Sequence, residues 1–264
     1  VLRFQIIKIL QFTTFLLLVG RAWQHLFWGA PYAHLLPLEE GFSQWFVDKI
    51  TMFFGWLFAL GALFSFTLDS RDSKWGTFFI YLSFSLLLLA QLYRAENHNE
   101  WPTLLLYASQ IATPLLYYQV QFTKVSLSKT MFLLKFSLTL TLLGYAWYAF
   151  GFHYGIKSEW IEGISFLFAL EKKTSIWLIY GLGIFEILLV LILWVKPLQK
   201  IGLAGIVFWG MLLMFASVLL FWIEHPVWTS GIRSAWELLC LVPNAGLCFS
   251  FWHYINEKNK EEDF

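Results

Sequence analysis

Eight long apolar stretches divide this chain, at about 4–28, 48–68, 75–93, 101–122, 131–153, 175–195, 200–223 and 232–254. A hydrocarbon core about 30 Å thick takes roughly 20 apolar residues per helical crossing. Backbone in lipid must find its hydrogen bonds within its own segment, so stretches of this length are expected to be helices. The alternation of a membrane β-barrel is absent. Composition points the same way: 59% of residues are hydrophobic and 13% are charged, against about 25% charged in a soluble domain. Mean hydropathy is +0.64 and the formal net charge is +1. These values exclude a soluble enzyme, a disordered chain and a nucleic-acid binder, which would need a basic excess. Arg3 and Lys8 precede an apolar run longer than a leader core, and no A-x-A-like site follows. The first stretch is therefore expected to be a retained helix.

Charge gives the orientation. The side holding both termini carries 11 of the 18 basic residues against 6 acidic ones. The opposite face carries 7 basic and 10 acidic residues, with Glu186 set apart inside a helix. The positive-inside rule places both termini in the cytoplasm, as an even number of crossings requires. A bacterial cytoplasmic (inner) membrane is the expected location. Cys240 and Cys248 sit in the last apolar stretch without C-x-x-C or zinc spacing, and read as small buried apolar residues.

The chain also reads as a duplication, with an offset near 124–129 residues. Gly20-Arg21-Ala22-Trp23-Gln24 matches Gly144-Tyr145-Ala146-Trp147-Tyr148, each followed by a loop of about 20 residues, Gly29 to Trp45 and Gly155 to Phe166. Phe54-Gly55-Trp56-Leu57 matches Tyr180-Gly181-Leu182-Gly183, the exit Arg94 to His98 matches Trp222 to His225, and Pro114 matches Pro243. Four helices per half return each half to the side where it began, so the repeats are parallel. The expected architecture is all-α: eight transmembrane helices as two tandem four-helix repeats, 1–126 and 127–256, with a cytoplasmic tail at 257–264. With Gly20, Gly144, Gly181 and Glu186 as its markers, this four-helix unit resembles the DoxX-like membrane proteins. Their relatives include the MauE-type proteins and the small subunits of thiosulfate–quinone oxidoreductase. The first half has Gly61 near the place of Glu186. The resemblance implies a membrane subunit working beside redox partners or quinone, and supplies no catalytic motif.

Candidate chemistry rests on histidines and carboxylates. His25, His98 and His153, with Glu96, Glu224 and His225, fall at or near the non-cytoplasmic face. Glu96/His98 and Glu224/His225 are repeat-related pairs, and His25 and His153 lie at similar depth in related helices. Such groups relay protons, bind metals or hydrogen-bond a quinone carbonyl; at a membrane surface they are as readily just solvated. Haem would need axial ligands from facing helices. Glu186 is the acidic residue well inside a helix, where a charge costs about 2.5–3.5 kcal/mol on insertion scales. It should face the interior, with Arg21, Arg94, Gln91, Gln110 or Asn244 as partner. It reads as a proton-relay or ligand-gripping carboxylate, or as an interhelical hydrogen bond. Pro114 and Pro243 would kink their helices.

No P-loop, GxGxxG, H-E-x-x-H or G-x-S-x-G occurs, so no catalytic residue and no metal ligand is assigned. The leading expectation is a membrane subunit that binds a hydrophobic cofactor, a quinone before a haem, or partner chains in a redox or envelope complex. The alternatives are a transporter or lipid-handling protein with Glu186 in its path, and a structural anchor. Its partners are expected to be membrane lipids and other protein subunits, not nucleic acid.

Overall fold

The structure, a computed structural model, describes residues 2–34, 43–68, 73–96, 101–152, 158–224 and 228–262. Side chains are described throughout these except at 31, 34, 73, 158–159, 216–234 and 259–262. Among the described residues there is helix and no strand. The helices are α1 (Leu2–Trp23), α2 (Gln44–Thr67), α3 (Ser73–Glu96), α4 (Pro102–Leu106), α5 (Ala108–Phe122) and α6 (Leu127–Phe150). They continue with α7 (Ser158–Phe168), α8 (Lys172–Trp194), α9 (Gln199–Glu224) and α10 (Trp228–Glu262). Among the described residues, seven helices are long and apolar enough to cross a membrane. The stretch 101–122 is helical too, but is interrupted at Tyr107 into α4 and α5. Pro114 and Pro243 lie inside α5 and α10.

Two features depart from the sequence reading. The segment expected as an outer loop before α8 contains the amphipathic α7, with Phe166 and Phe168 exposed; a helix of this kind suits a membrane interface. The expected tail begins as a continuation of α10, which at 35 residues is about 52 Å long and outruns the hydrocarbon core.

The helices pack as two rings. In the first, α1 touches α2 and α5, α2 touches α3, and α3 touches α4 and α5; in the second, α6 touches α8 and α10, and α9 lies between α8 and α10. The rings join along two seams, α1 against α10 and α6 against α4 and α5. A glycine opens each seam. A Cβ on Gly20 would stand 2.7 Å from Leu239 Cβ, and one on Gly144 would stand 2.8 Å from the Leu106 backbone nitrogen. Small residues allow such close approach where lipid gives helices no hydrophobic drive to associate.

The buried core runs through both rings and includes Leu17, Leu82, Leu116, Leu138, Leu189 and Leu247, with aromatic rings such as Phe58, Phe79 and Tyr117 among them. The outer faces carry exposed Phe12, Phe53, Trp56, Phe84, Ile184 and Leu191, an apolar surface that needs lipid around it. Near the charged ends, cations turn to local partners. Arg3 Nη2 donates to the carbonyls of Val120 (2.9 Å) and Thr123 (2.6 Å) at the end of α5, where the helix dipole favours a cation. Lys135 folds over the Trp194 ring, 3.9 Å from its centroid.

Candidate functional site

The first ring buries a cation. Arg21, near the end of α1, is only 3% exposed. Directly after it the chain winds as a π-helix over Gln24–Trp28, a rare geometry that recurs at functional sites. Arg21 Nη1 donates to Gln24 Oε1 at 2.7 Å and Nη2 donates to Gln110 Oε1 of α5 at 2.6 Å. The guanidinium lies 4.6 Å from the centroid of the Tyr107 ring. Gln24 Nε2 in turn donates to the Tyr93 hydroxyl of α3 at 2.6 Å. Each partner is an amide or an aromatic ring; among the described residues no carboxylate pairs with Arg21, and its Nε has no hydrogen-bond partner.

His25 completes this cluster. Its Nδ1 lies 2.7 Å from the Arg21 carbonyl oxygen. A carbonyl only accepts, so Nδ1 carries the proton, and in the neutral ring Nε2 is a bare lone pair. That nitrogen is buried and unpartnered. The imidazole packs against Phe58 and Tyr32, with ring centroids 5.5 and 6.0 Å away. Burial pushes the Tyr32 phenol up to about 12, so it stays neutral beside the cation. The cluster therefore offers one charged donor and one lone pair, walled by aromatic rings.

The second ring buries an acid. Glu186 in α8 is 2% exposed, and the hydrogen bond it accepts comes from Trp209 Nε1 of α9 at 2.8 Å. Arg21 is held by Gln24 and Gln110, and Arg94 donates to Gln91, so the expected arginine partners are engaged elsewhere. Oε2 of Glu186 is buried without a hydrogen bond. Its donor Trp209 also lines a small pocket, together with Thr141, Tyr145, Gly210 and Asn244 among apolar neighbours. It is large enough for about one water molecule.

The two clusters meet at α5. The break at Tyr107 frees the Ser109 N–H, which donates to Thr141 Oγ1 at 3.0 Å. The Ser109 hydroxyl donates to Asn244 Oδ1 at 2.8 Å, and the Asn244 amide lies against the Tyr145 hydroxyl. Its neighbour Gln110 turns to Arg21.

Of the residues singled out in the sequence, Glu186 and His25 are thus deeply buried. Glu96 ends α3 half-buried. His98, His153 and His225 lie outside the described residues, and Glu224 ends α9 with its side chain outside them. Among the described residues no three His, Cys, Asp or Glu come together as metal ligands, and Cys240 and Cys248 are free and buried. Gln24, Tyr93, Tyr107 and Tyr145 were missed by the sequence reading. The available signal was Arg21 itself, a charge within an otherwise apolar helix, which by default marks a functional position. No family model, curated protein or solved structure matches this chain.

Proposed function

We propose that this chain is an integral membrane subunit that holds a hydrophobic cofactor by its polar head at the Arg21–His25 cluster. The observation that carries this reading is the buried guanidinium of Arg21, surrounded by neutral groups and with Nε unpartnered. A charge in a low-dielectric interior is costly without a counter-charge or full hydrogen bonding. A ligand oxygen at Nε supplies what is missing, and a ligand hydroxyl can donate to His25 Nε2. A quinone, with its two ring oxygens and two redox forms, has this chemistry and is the cofactor implied by the DoxX-like resemblance. This chain's own part is to bind and orient the head and keep water from it.

The reading includes eight crossings, with α4 and α5 together as the fourth. It also includes two tandem four-helix repeats, 1–126 and 127–256. Support for the repeats comes from the shared pattern of neighbours within each ring and from Gly20 and Gly144 at the two seams. Both termini are placed in the cytoplasm of a bacterial cell, in the inner membrane, with other subunits beside the lipid-facing helices.

Native mass spectrometry with extraction of bound small molecules tests the function. The wild-type protein should release a stoichiometric lipid-soluble compound. Arg21→Gln should lower its occupancy at least about tenfold, equivalent to about 1.4 kcal/mol, while far-ultraviolet circular dichroism stays unchanged. Wild type that carries no such compound, or equal occupancy in Arg21→Gln, overturns the proposal.

A further inference from the structure

We propose that the edge of the bundle where α6 meets the end of α8 binds the phosphate of one anionic phospholipid, with Lys135 as its ionic contact. This inference uses the membrane setting of the chain and not the cofactor reading. Lys135 is only 8% exposed, and its ammonium lies over the Trp194 ring. Among the described residues no carboxylate pairs with that ammonium and no acceptor takes a hydrogen bond from it. The ring face offsets part of the cost of burying the charge, but an ammonium in so apolar a place still lacks a counter-ion. The surrounding chain has none to give. No Asp or Glu occurs from 101 to 158 or from 187 to 223, whereas Lys124, Lys129, Lys135, Lys196 and Lys200 lie where those stretches meet at this end. Asp69 and Asp72 fall between α2 and α3 in the chain, and Glu257 of α10 makes no ion pair with Lys196 or Lys200.

The geometry suits a lipid headgroup. Lys135 stands eight residues into α6, about 12 Å from its start, and helical side chains lean toward the N-terminal end. Its stem therefore runs toward the end of the bundle where Trp194 closes α8, and carries the ammonium toward headgroup depth. The Trp194 indole donates to Thr139 Oγ1 of α6 at 2.9 Å, which fixes the ring beside the cation. Phe132 meets the same ring edge-on, with centroids 6.0 Å apart. Phe132, Phe136 and Leu191 are exposed on these two helices, an apolar flank for acyl chains. Lys129 lies three residues before Phe132 and Lys196 two residues past Trp194, and both are exposed, placed to share the headgroup's charge. Basic sites between membrane helices hold anionic headgroups in this way. The apolar flank selects a phospholipid over a free phosphate, which has no chains to cover it.

Lipid titration of the full chain in mild detergent, read by native mass spectrometry, tests the site. One copy of phosphatidylglycerol should be retained more tightly than phosphatidylcholine, by at least about fivefold in dissociation constant. Lys135→Gln should remove that preference, whereas Lys135→Arg, which keeps the charge, should retain it. The double variant Lys129→Gln with Lys196→Gln changes only exposed residues and should reduce it. Lys74→Gln, which removes an exposed lysine at the start of α3 in the other ring, should change nothing. The proposal is overturned if the two lipids bind the wild type equally, if Lys135→Gln keeps the preference, or if Lys74→Gln loses it as completely. It is also overturned if inorganic phosphate at the same concentration displaces the bound lipid, since the ligand is then a free anion. Arg21→Gln should leave the preference intact, so failure of this site and failure of cofactor binding are read separately.

Discussion

The two rings of the bundle are built on similar packing and carry opposite buried charges. Each uses a glycine in its first helix to meet the other ring, Gly20 on α10 and Gly144 on α4. Each also uses a glycine in its second helix to seat the end of its first. A Cβ on Gly55 would meet Leu26, and one on Gly183 would meet Ala149 and Phe150. One residue past the seam glycine, however, the first ring has Arg21 and the second has Tyr145. The first ring surrounds its cation with amides and phenols, and the second leaves an acid with an indole as its donor. Close packing constrains the backbone approach at the seams, whereas the polar positions beside them are free to differ. Buried charge is thus the better guide to what each ring does.

The largest effects should come from the seams. Gly20→Leu and Gly144→Leu each force a side chain into an occupied interface, and should lower unfolding free energy by about 2–3 kcal/mol, read by denaturant titration in mixed micelles. The two losses should be similar, with Gly144→Leu the worse because a backbone nitrogen stands in its way. A tolerated substitution at either seam would break the comparison. Next come the polar clusters. Trp209→Phe leaves Glu186 without its donor and should cost about 1–3 kcal/mol. Tyr93→Phe removes the acceptor of Gln24 Nε2 and should cost about 1 kcal/mol, because only neutral groups lose a bond. An equal cost in the two variants would mean that Glu186 is not treated as a charge by its surroundings. The smallest effect is expected at Gly181, where a Cβ would meet nothing within 4 Å. Gly181→Ala should change stability by less than about 0.5 kcal/mol.

Much of the fold is legible in the sequence because lipid imposes a one-dimensional rule. Length and hydropathy alone locate the stretches that become α1, α2, α3, α6, α8, α9 and α10. The interior place of Glu186 follows from the same rule, since a carboxylate cannot face lipid cheaply. The partners could not be read in this way. Which side chains face each other depends on helix rotation and depth, so Trp209, 23 residues from Glu186 in the chain, gives no sequence signal. Gln110 lies 89 residues from Arg21 and is equally silent. The matching of Gly55 to Gly181 shows a subtler limit. In the packing it is Gly183 that seats the preceding helix, while Gly181 faces open space, and a weak alignment cannot tell two glycines two residues apart. The helix α7 was obscured because a short amphipathic run between charged residues reads as loop.

The π-winding at Gln24–Trp28 has a consequence for how this protein can vary. A single wide turn takes up one more residue than an α-turn would, and Gln24 and His25, neighbours in sequence, are both buried in it. Consecutive residues of an α-helix lie about 100° apart, so losing one residue in this turn would rotate everything after it by that angle. Point substitutions here change one contact at a time; a one-residue deletion would redirect the imidazole and the whole outer connection together. The length of this turn, more than the identity of any residue in it, sets the aim of the cluster.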